Sequence, residues 1–408
     1  LKNSPYKYQF AIILLFRMKK IAVLLLTGII AQNMGAQSFI QAYQDRADMV
    51  TQTNITTNLQ DFANLGIKTT GSPANTNALE WLKSKYVSFG YTAGQITEDP
   101  FTSGSISSIN LVITKTGTLY PNKYVIVCGH FDSLNGPGVN DNGSGTSIIL
   151  EAARILRDVP TEYSIKFIHF SGEEQGLLGS KHYANTVAYQ GNTRVLDTRL
   201  VFNLDLVGGV MGNLNNTVYC DQDLGGASSN NAASATVTQE LRNCTALYSP
   251  LQTAVDPAES TDYIPFEQKG EVITGFFERI RSSYPHTSDD TFDNTDPVYI
   301  YNIGKAAVGA IQHFAVATGT LGTDEVRSKN ALEEMKISPN PAKDMIRIRI
   351  PDSIVKNFSF EITDLAGHSL LKKVSESEID ISSLENGAYI GILKSGNQIV
   401  VRKILVKK

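Results

Sequence analysis

Four short apolar runs punctuate the chain: KYVIVCG (123–129), SIKFIHF (164–170), RLVFNLD (199–205) and EVITGFF (271–277). Each is rich in β-branched or aromatic residues, as in strands buried on both faces. Between the first two, SGTSIILEAARILRD repeats its apolar positions at helical spacing, and QGLLGSKHYANTVA precedes the third. Upstream, residues 56–92 read as two helices around a turn, with Trp81, Leu82 and Tyr86 at helical spacing. This alternation predicts an α/β fold with a mostly parallel central sheet and helices on both faces.

The rhythm stops around residues 319–335, GTLGTDEVRSKNALEEM, which read as a linker. Beyond it, MIRIRI sets Ile346, Ile348 and Ile350 on one face and Arg347 and Arg349 on the other, and FSFEI alternates likewise. Strands in ENGAYIGILKSGNQIVVRKILV are broken by Asn386-Gly387 and Gly396-Asn397, both good turn signals. A small C-terminal antiparallel β-sandwich is therefore expected. The boundaries fall at 1–36, 37–320, 321–335 and 336–408.

The first of these segments has a different character. Met18-Lys19-Lys20 leads into IAVLLLTGIIA and then QNMGAQS, in the order of a signal peptide cleaved near Ala36. Met18 is then the true start and residues 1–17 an upstream extension. The apolar run is well short of the ~20 residues that span a bilayer, so no stable membrane span is expected. Across all 408 residues the formal net charge is -4, with no basic block, which excludes an electrostatic footprint for nucleic acid or an anionic membrane surface. Charged residues make up 19% of the chain, below a typical ~25%, in keeping with an extracellular protein. Three cysteines cannot complete a disulfide set. Cys128 reads as a small buried hydrophobe, while pairing of Cys220 with Cys244 stays open.

Polar residues gather where the four strands end. His130 and Asp132 follow the first run, Glu173 and Glu174 the second, and Asp205 ends the third. His286, in SSYPHTSDDT, follows the fourth, and Asp141 lies in the glycine-rich GVNDNGSG before a helix. Loops at the carboxyl ends of an open α/β sheet converge on one crevice. Two imidazoles with several carboxylates and no thiolate suit zinc, cobalt or manganese in a hydrolytic centre. Asp132 can fix the second ring nitrogen of His130. A second metal within ~4 Å needs a bridging carboxylate, for which Asp141 is the candidate. Of the adjacent glutamates, one can bind metal while the other handles protons. His169 reads as a core or supporting group, His182 and His313 as exposed helix residues.

GHFDS, GVNDNGSG, SGEEQGLLGS, NLDLVG and STDYIPFE…SYPHTSDDT resemble the motif series of the secreted bacterial cocatalytic zinc aminopeptidases, relatives of glutamate carboxypeptidases and glutaminyl cyclases. The resemblance covers roughly residues 50–318 and implies the zinc exopeptidase fold. It also implies two Zn2+ ions bridged by Asp141, with His130 and Asp205 completing one site and Glu174 and His286 the other. Glu173 would be the general base, Asp132 would stand behind His130, and the Asp141-Asn142 peptide would be cis. The implied reaction is release of N-terminal residues from peptides with a free amino end. STDYIPF carries Tyr263 where the family often has histidine, and the candidate substrate contacts are Ser260, Asp262, Tyr263 and Phe266. A glutaminyl cyclase or a carboxypeptidase using Arg279 and Arg281 would share the fold, and a catalytically silent surface binding protein is the reading from another class.

SPNPAKDMIRI, FEITDLAGHSLL, IDISSLENGAYIGIL and KILVKK are similar to the C-terminal sorting domain of the type IX secretion system of Bacteroidetes-type bacteria. That resemblance implies outer-membrane secretion machinery as a partner, a secreted or cell-surface location and no catalytic role for His368.

Overall fold

A computed structural model describes residues 37–225, 229–318, 336–349, 358–364, 369–395 and 398–408. The expected signal peptide and linker, together with Ile350, His368 and the Gly396-Asn397 turn, lie outside these residues. The chain divides into two compact units, Leu1–Thr320 and Leu321–Lys408.

An eight-stranded sheet organises the first unit. It comprises β1 (Ile96–Ser103), β2 (Ile106–Lys115), β3 (Tyr120–His130), β4 (Tyr163–Phe170), β7 (Asp197–Leu204), β8 (Thr217–Gln222), β9 (Gln252–Pro257) and β10 (Ile273–Glu278), in the order β1-β2-β4-β3-β7-β10-β8-β9. Two-residue strands β5 (Tyr189–Gln190) and β6 (Thr193–Arg194) pair apart from it. The four apolar runs are the central strands β4, β3, β7 and β10, and these are mutually parallel. The flanks are mixed: β1 and β2 add antiparallel, and β8 runs antiparallel to β10 but parallel to β9.

Both faces of β3 are buried because successive side chains enter opposite layers. Val125 and Val127 join Phe167 and Phe202 in the larger core, whereas Ile126 and Cys128 join Ile168 and Val201 in the smaller one. Over the larger core lie α1 (Gln41–Ala47), α2 (Gln52–Asn64), α3 (Pro73–Ser88), α4 (Gly145–Leu156), α6 (Asn231–Tyr248) and α8 (Pro297–Phe314); Tyr183 of α5 (Leu178–Tyr183) and Phe266 of α7 (Ile264–Glu267) help close the smaller. Local chemistry sets several helix starts. Ser72 caps the amide of Asn75 ahead of Pro73, and Asp296 caps Val298 and Tyr299 ahead of Pro297.

The second unit has two antiparallel sheets. One orders β11 (Lys336–Ser338), β12 (Met345–Arg349) and β15 (Glu378–Asp380); the other orders β14 (Ser369–Val374), β13 (Ser359–Thr363), β16 (Gly387–Ser395) and β17 (Gln398–Val406). Ile346, Ile348, Phe360, Ile362, Leu393 and Ile404 share its core. Arg347 and Arg349 point outward, as the alternation requires.

Candidate metal centre

Strand order positions the site. From β3 the chain passes through α4 to β4 on one side, then returns to β7 on the other, and such a reversal leaves a crevice at the strand ends. His130 is the last residue of β3, and Asp205 directly follows β7. Glu173 and Glu174 follow β4, His286 lies in the loop after β10, and Asp141 sits in the turn Val139–Ser144 before α4.

These loops bring together two triads, His130–Asp141–Asp205 and Asp141–Glu174–His286. Asp141 belongs to both, and its oxygens diverge: Oδ1 lies 3.1 Å from Nε2 of His130 and Oδ2 lies 3.0 Å from Nε2 of His286. Nε2 of His130 is 3.4 Å from Oδ1 of Asp205, and Nε2 of His286 is 2.9 Å from Oε2 of Glu174. Nε2 of His130, Oδ1 of Asp205 and Oε1 of Glu174 are buried without a hydrogen-bond partner. Buried polar atoms are ordinarily satisfied, so convergent orphans in an imidazole–carboxylate set fit a bound cation. The electrostatics agree. Burial disfavours ionised Asp141, yet the His130 and His286 imidazoles hold its carboxyl down at about 2. Hydrogen bonding to Asp141 leads the rise of His286 to about 9. Burial lowers His130, but Asp205, Asp132 and Asp141 together carry it well above its ordinary value. Protons on the imidazoles here supply the positive charge that a metal would bring while displacing them.

Asp132 is fully buried and links two loops. Nδ1 of His130 lies 3.2 Å from its carbonyl and 3.6 Å from Oδ1, while its carboxylate accepts the amides of Glu173 and Glu174 and the Thr70 hydroxyl. Burial pushes the Glu173 carboxyl up to about 10; His130 opposes this, and Asp205, Asp262 and Asp132 add to it. At the turn, Gly138 has φ +63°, and a Cβ on Gly145 would stand 2.2 Å from the Leu204 carbonyl oxygen. The Asp141-Asn142 peptide is cis, and the Asn142 side chain donates to the Leu204 carbonyl while accepting the Gly145 amide.

Several supporting residues had no signal of their own. The Thr261 hydroxyl donates to Oδ2 of Asp205 at 2.5 Å and accepts from Asn203. The Asp290 carboxylate accepts the amides of Asn140 and Asp141. Lys68, fully buried, donates through Nζ to the carbonyls of Phe62, Gly66 and Pro137.

The expected substrate contacts divide. Ser260 is exposed and Asp262 is buried close enough to His130 and Asp205 to feel both charges. Tyr263 and Phe266 are corrections: both are fully buried in the smaller core, Tyr263 donating to Asp221 and Phe266 packing on Phe170 and Tyr183. Neither side chain presents surface to the crevice. Arg279 is exposed, whereas Arg281 pairs with Glu259 and lies over the Phe277 ring. Cys128, Cys220 and Cys244 are buried and unpaired, so Cys220 and Cys244 form no disulfide. His169 is a core residue bonded to the Tyr86 hydroxyl, and His182 is partly exposed beside Asp99. His313 differs from expectation, being half-buried against Tyr248.

Two triads sharing one carboxylate lie at the switch point of an α/β sheet, and each has the donor set to hold a metal ion. Residues 110–311 match Peptidase family M28, and the chain carries a domain of that family. Residues 336–407 match a secretion system C-terminal sorting domain. An aminopeptidase of Bacillus subtilis is 31% identical over 198 residues, covering 46% of this chain and 40% of that protein. The chain spans less than half the length of the curated relatives it matches. Among solved structures, the Legionella pneumophila LapA aminopeptidase shares the fold at 22% identity and TM-score 0.58, covering 67% of this chain and 74% of that one. A Porphyromonas gingivalis glutaminyl cyclase does so at 17% and 0.53, covering 65% and 99%. Among the described residues, no helix is long and apolar enough to cross a membrane.

Proposed function

We propose that the chain is an exported metallo-exopeptidase, an aminopeptidase that holds two zinc ions and removes N-terminal residues from peptides. The observation that carries this reading is Asp141, whose two oxygens face different imidazoles at nearly equal distances. His130 and Asp205 would hold one ion, Glu174 and His286 the other, with Asp141 between them. When bound, the zinc pair would polarise the scissile carbonyl and acidify water. Glu173 belongs to neither triad and is free to take a proton from water and return it to the departing amine.

The direction of attack follows from charge. Beyond burial, Asp205, Asp262 and Asp132 all act to keep Glu173 protonated, so the surroundings of the site oppose further negative charge. A free α-ammonium group suits such surroundings better than a C-terminal carboxylate. Of the two arginines that could have received such a carboxylate, Arg281 is engaged by Glu259 and Arg279 is exposed. The match of residues 336–407 supports export through the type IX system and a secreted or surface location.

The test uses the zinc-loaded full chain, a peptide with N-terminal Leu and its N-acetylated twin, followed by mass spectrometry with and without chelator. Chelator-sensitive release of Leu from the free peptide alone is expected. Shortening of both peptides from the carboxyl end, or cyclisation of an N-terminal Gln substrate with no hydrolysis, would replace this reading.

A further inference from the structure

Glu278 ends β10 and is 1% exposed. Its carboxylate accepts from Nδ2 of Asn140 at 3.2 and 3.1 Å, from the Gly209 amide at 2.8 Å and from the Ser282 amide at 2.7 Å. Every partner is a donor, and each lies on a different loop of the metal centre. Asn140 precedes the shared ligand Asp141, Gly209 lies on the loop that begins with Asp205, and Ser282 begins the path to His286. Asn140 reinforces the knot, because its Oδ1 accepts the Gly208 amide at 2.7 Å. Asp290 ties the far end of the His286 loop to the amides of Asn140 and Asp141.

We infer that Glu278 is a positioning residue for the dinuclear centre, setting the distance between the shared aspartate and the His286 loop so that the second ion can be held. This rests on the two-zinc reading above. His286 is the ligand most in need of such support: its side chain is 53% exposed and its backbone has φ +61°, a conformation that side-chain-bearing residues adopt at a cost. His130, by contrast, is fixed by the sheet itself. A carboxylate is required chemically, since it offers two oxygens to donors arriving from three directions. Gln would turn one oxygen into an NH2 aimed at other N–H groups.

The test titrates the full chain with zinc against a buffering chelator, reading ions per chain, for wild type, Glu278→Gln, Asn140→Asp and the double variant. Wild type is expected to hold two ions. Glu278→Gln should hold one at the same free zinc, the second returning at roughly 10- to 100-fold higher concentration, the usual scale for loss of a supporting residue. The double variant returns a carboxylate to the knot opposite an amide and should recover part of that loss, which a role in stability alone would not produce. Asn140→Asp alone opposes two carboxylates and should lose the second ion too, keeping the test informative if Glu278→Gln does not fold. Equal weakening of both ions without rescue by the swap, or wild-type affinity in both single variants, would overturn the inference and leave the two-zinc reading intact. Fewer than two ions in wild type would overturn both.

Discussion

Replacing Glu173 with Gln should stabilise the metal-free protein while disabling the enzyme. In the folded, metal-free site the Glu173 carboxyl is pushed from its ordinary 4.5 to about 10, first by burial and then by the surrounding carboxylates. Between those values the folded state binds the extra proton, so stability falls as pH rises through the window. At pH 7 the unfolded chain has released that proton, and holding it in the folded state costs about 3 kcal/mol at ~1.4 kcal/mol per pH unit. The figure requires only that the folded value exceed 7. Gln keeps the shape and titrates nowhere, so Glu173→Gln should gain up to about 3 kcal/mol at pH 7 and almost nothing at pH 4.5. Urea unfolding of chelator-treated protein measures this, with Trp81 fluorescence reporting the first unit, since the chain has a single tryptophan. With zinc restored, turnover should fall by about 10²–10⁴ while zinc content stays the same, because Glu173 lies outside both triads. An identical gain at both pH values, or a variant retaining more than about a tenth of wild-type turnover, would refute the assignment of Glu173 as a buried proton carrier.

Three further outcomes are expected. Thr261→Val removes the 2.5 Å bond to Asp205 and should weaken zinc at that site about 10- to 100-fold, with Thr261→Ser near wild type, as read by chelator competition. Burial lowers His169 from 6.5 to about 3, so the unfolded state binds its proton more readily and stability drops as pH falls through that interval; about 3 kcal/mol should go between pH 6.5 and 4, and denaturation of His169→Gln should lack that slope. Gly145→Ala forces a Cβ to within 2.2 Å of the Leu204 carbonyl oxygen, which should cost at least about 1–3 kcal/mol and lower zinc occupancy; wild-type values for both in unfolding and metal analysis would contradict the packing.

What the sequence made legible is what burial writes into it. The four central strands stand out because both their faces are packed, and the residues that can bind metal stand out because each follows such a run. Edge strand β1, ITEDPFTS, carries no such mark, because it is mostly exposed. Tyr263 and Phe266 were misplaced because aromatics beside Asp262 resemble a pocket lining. Tyr263 and Phe266 are three residues apart, though, and at helical spacing they share one face, which α7 turns into the smaller core. Thr261, Glu278, Asp290 and Lys68 escaped notice for another reason. They work through backbone amides, carbonyls or neighbouring side chains of distant loops, and partners of that kind leave no spacing rule in the chain.

The loops that carry the two triads are drawn from residues 130 to 286, with the middle of the sheet assembled strand beside strand between them. A chain that ends before the last loop has no His286 and cannot complete the second triad. Completion of the site is thereby tied to synthesis of the chain: translation must pass residue 286 before both triads can form.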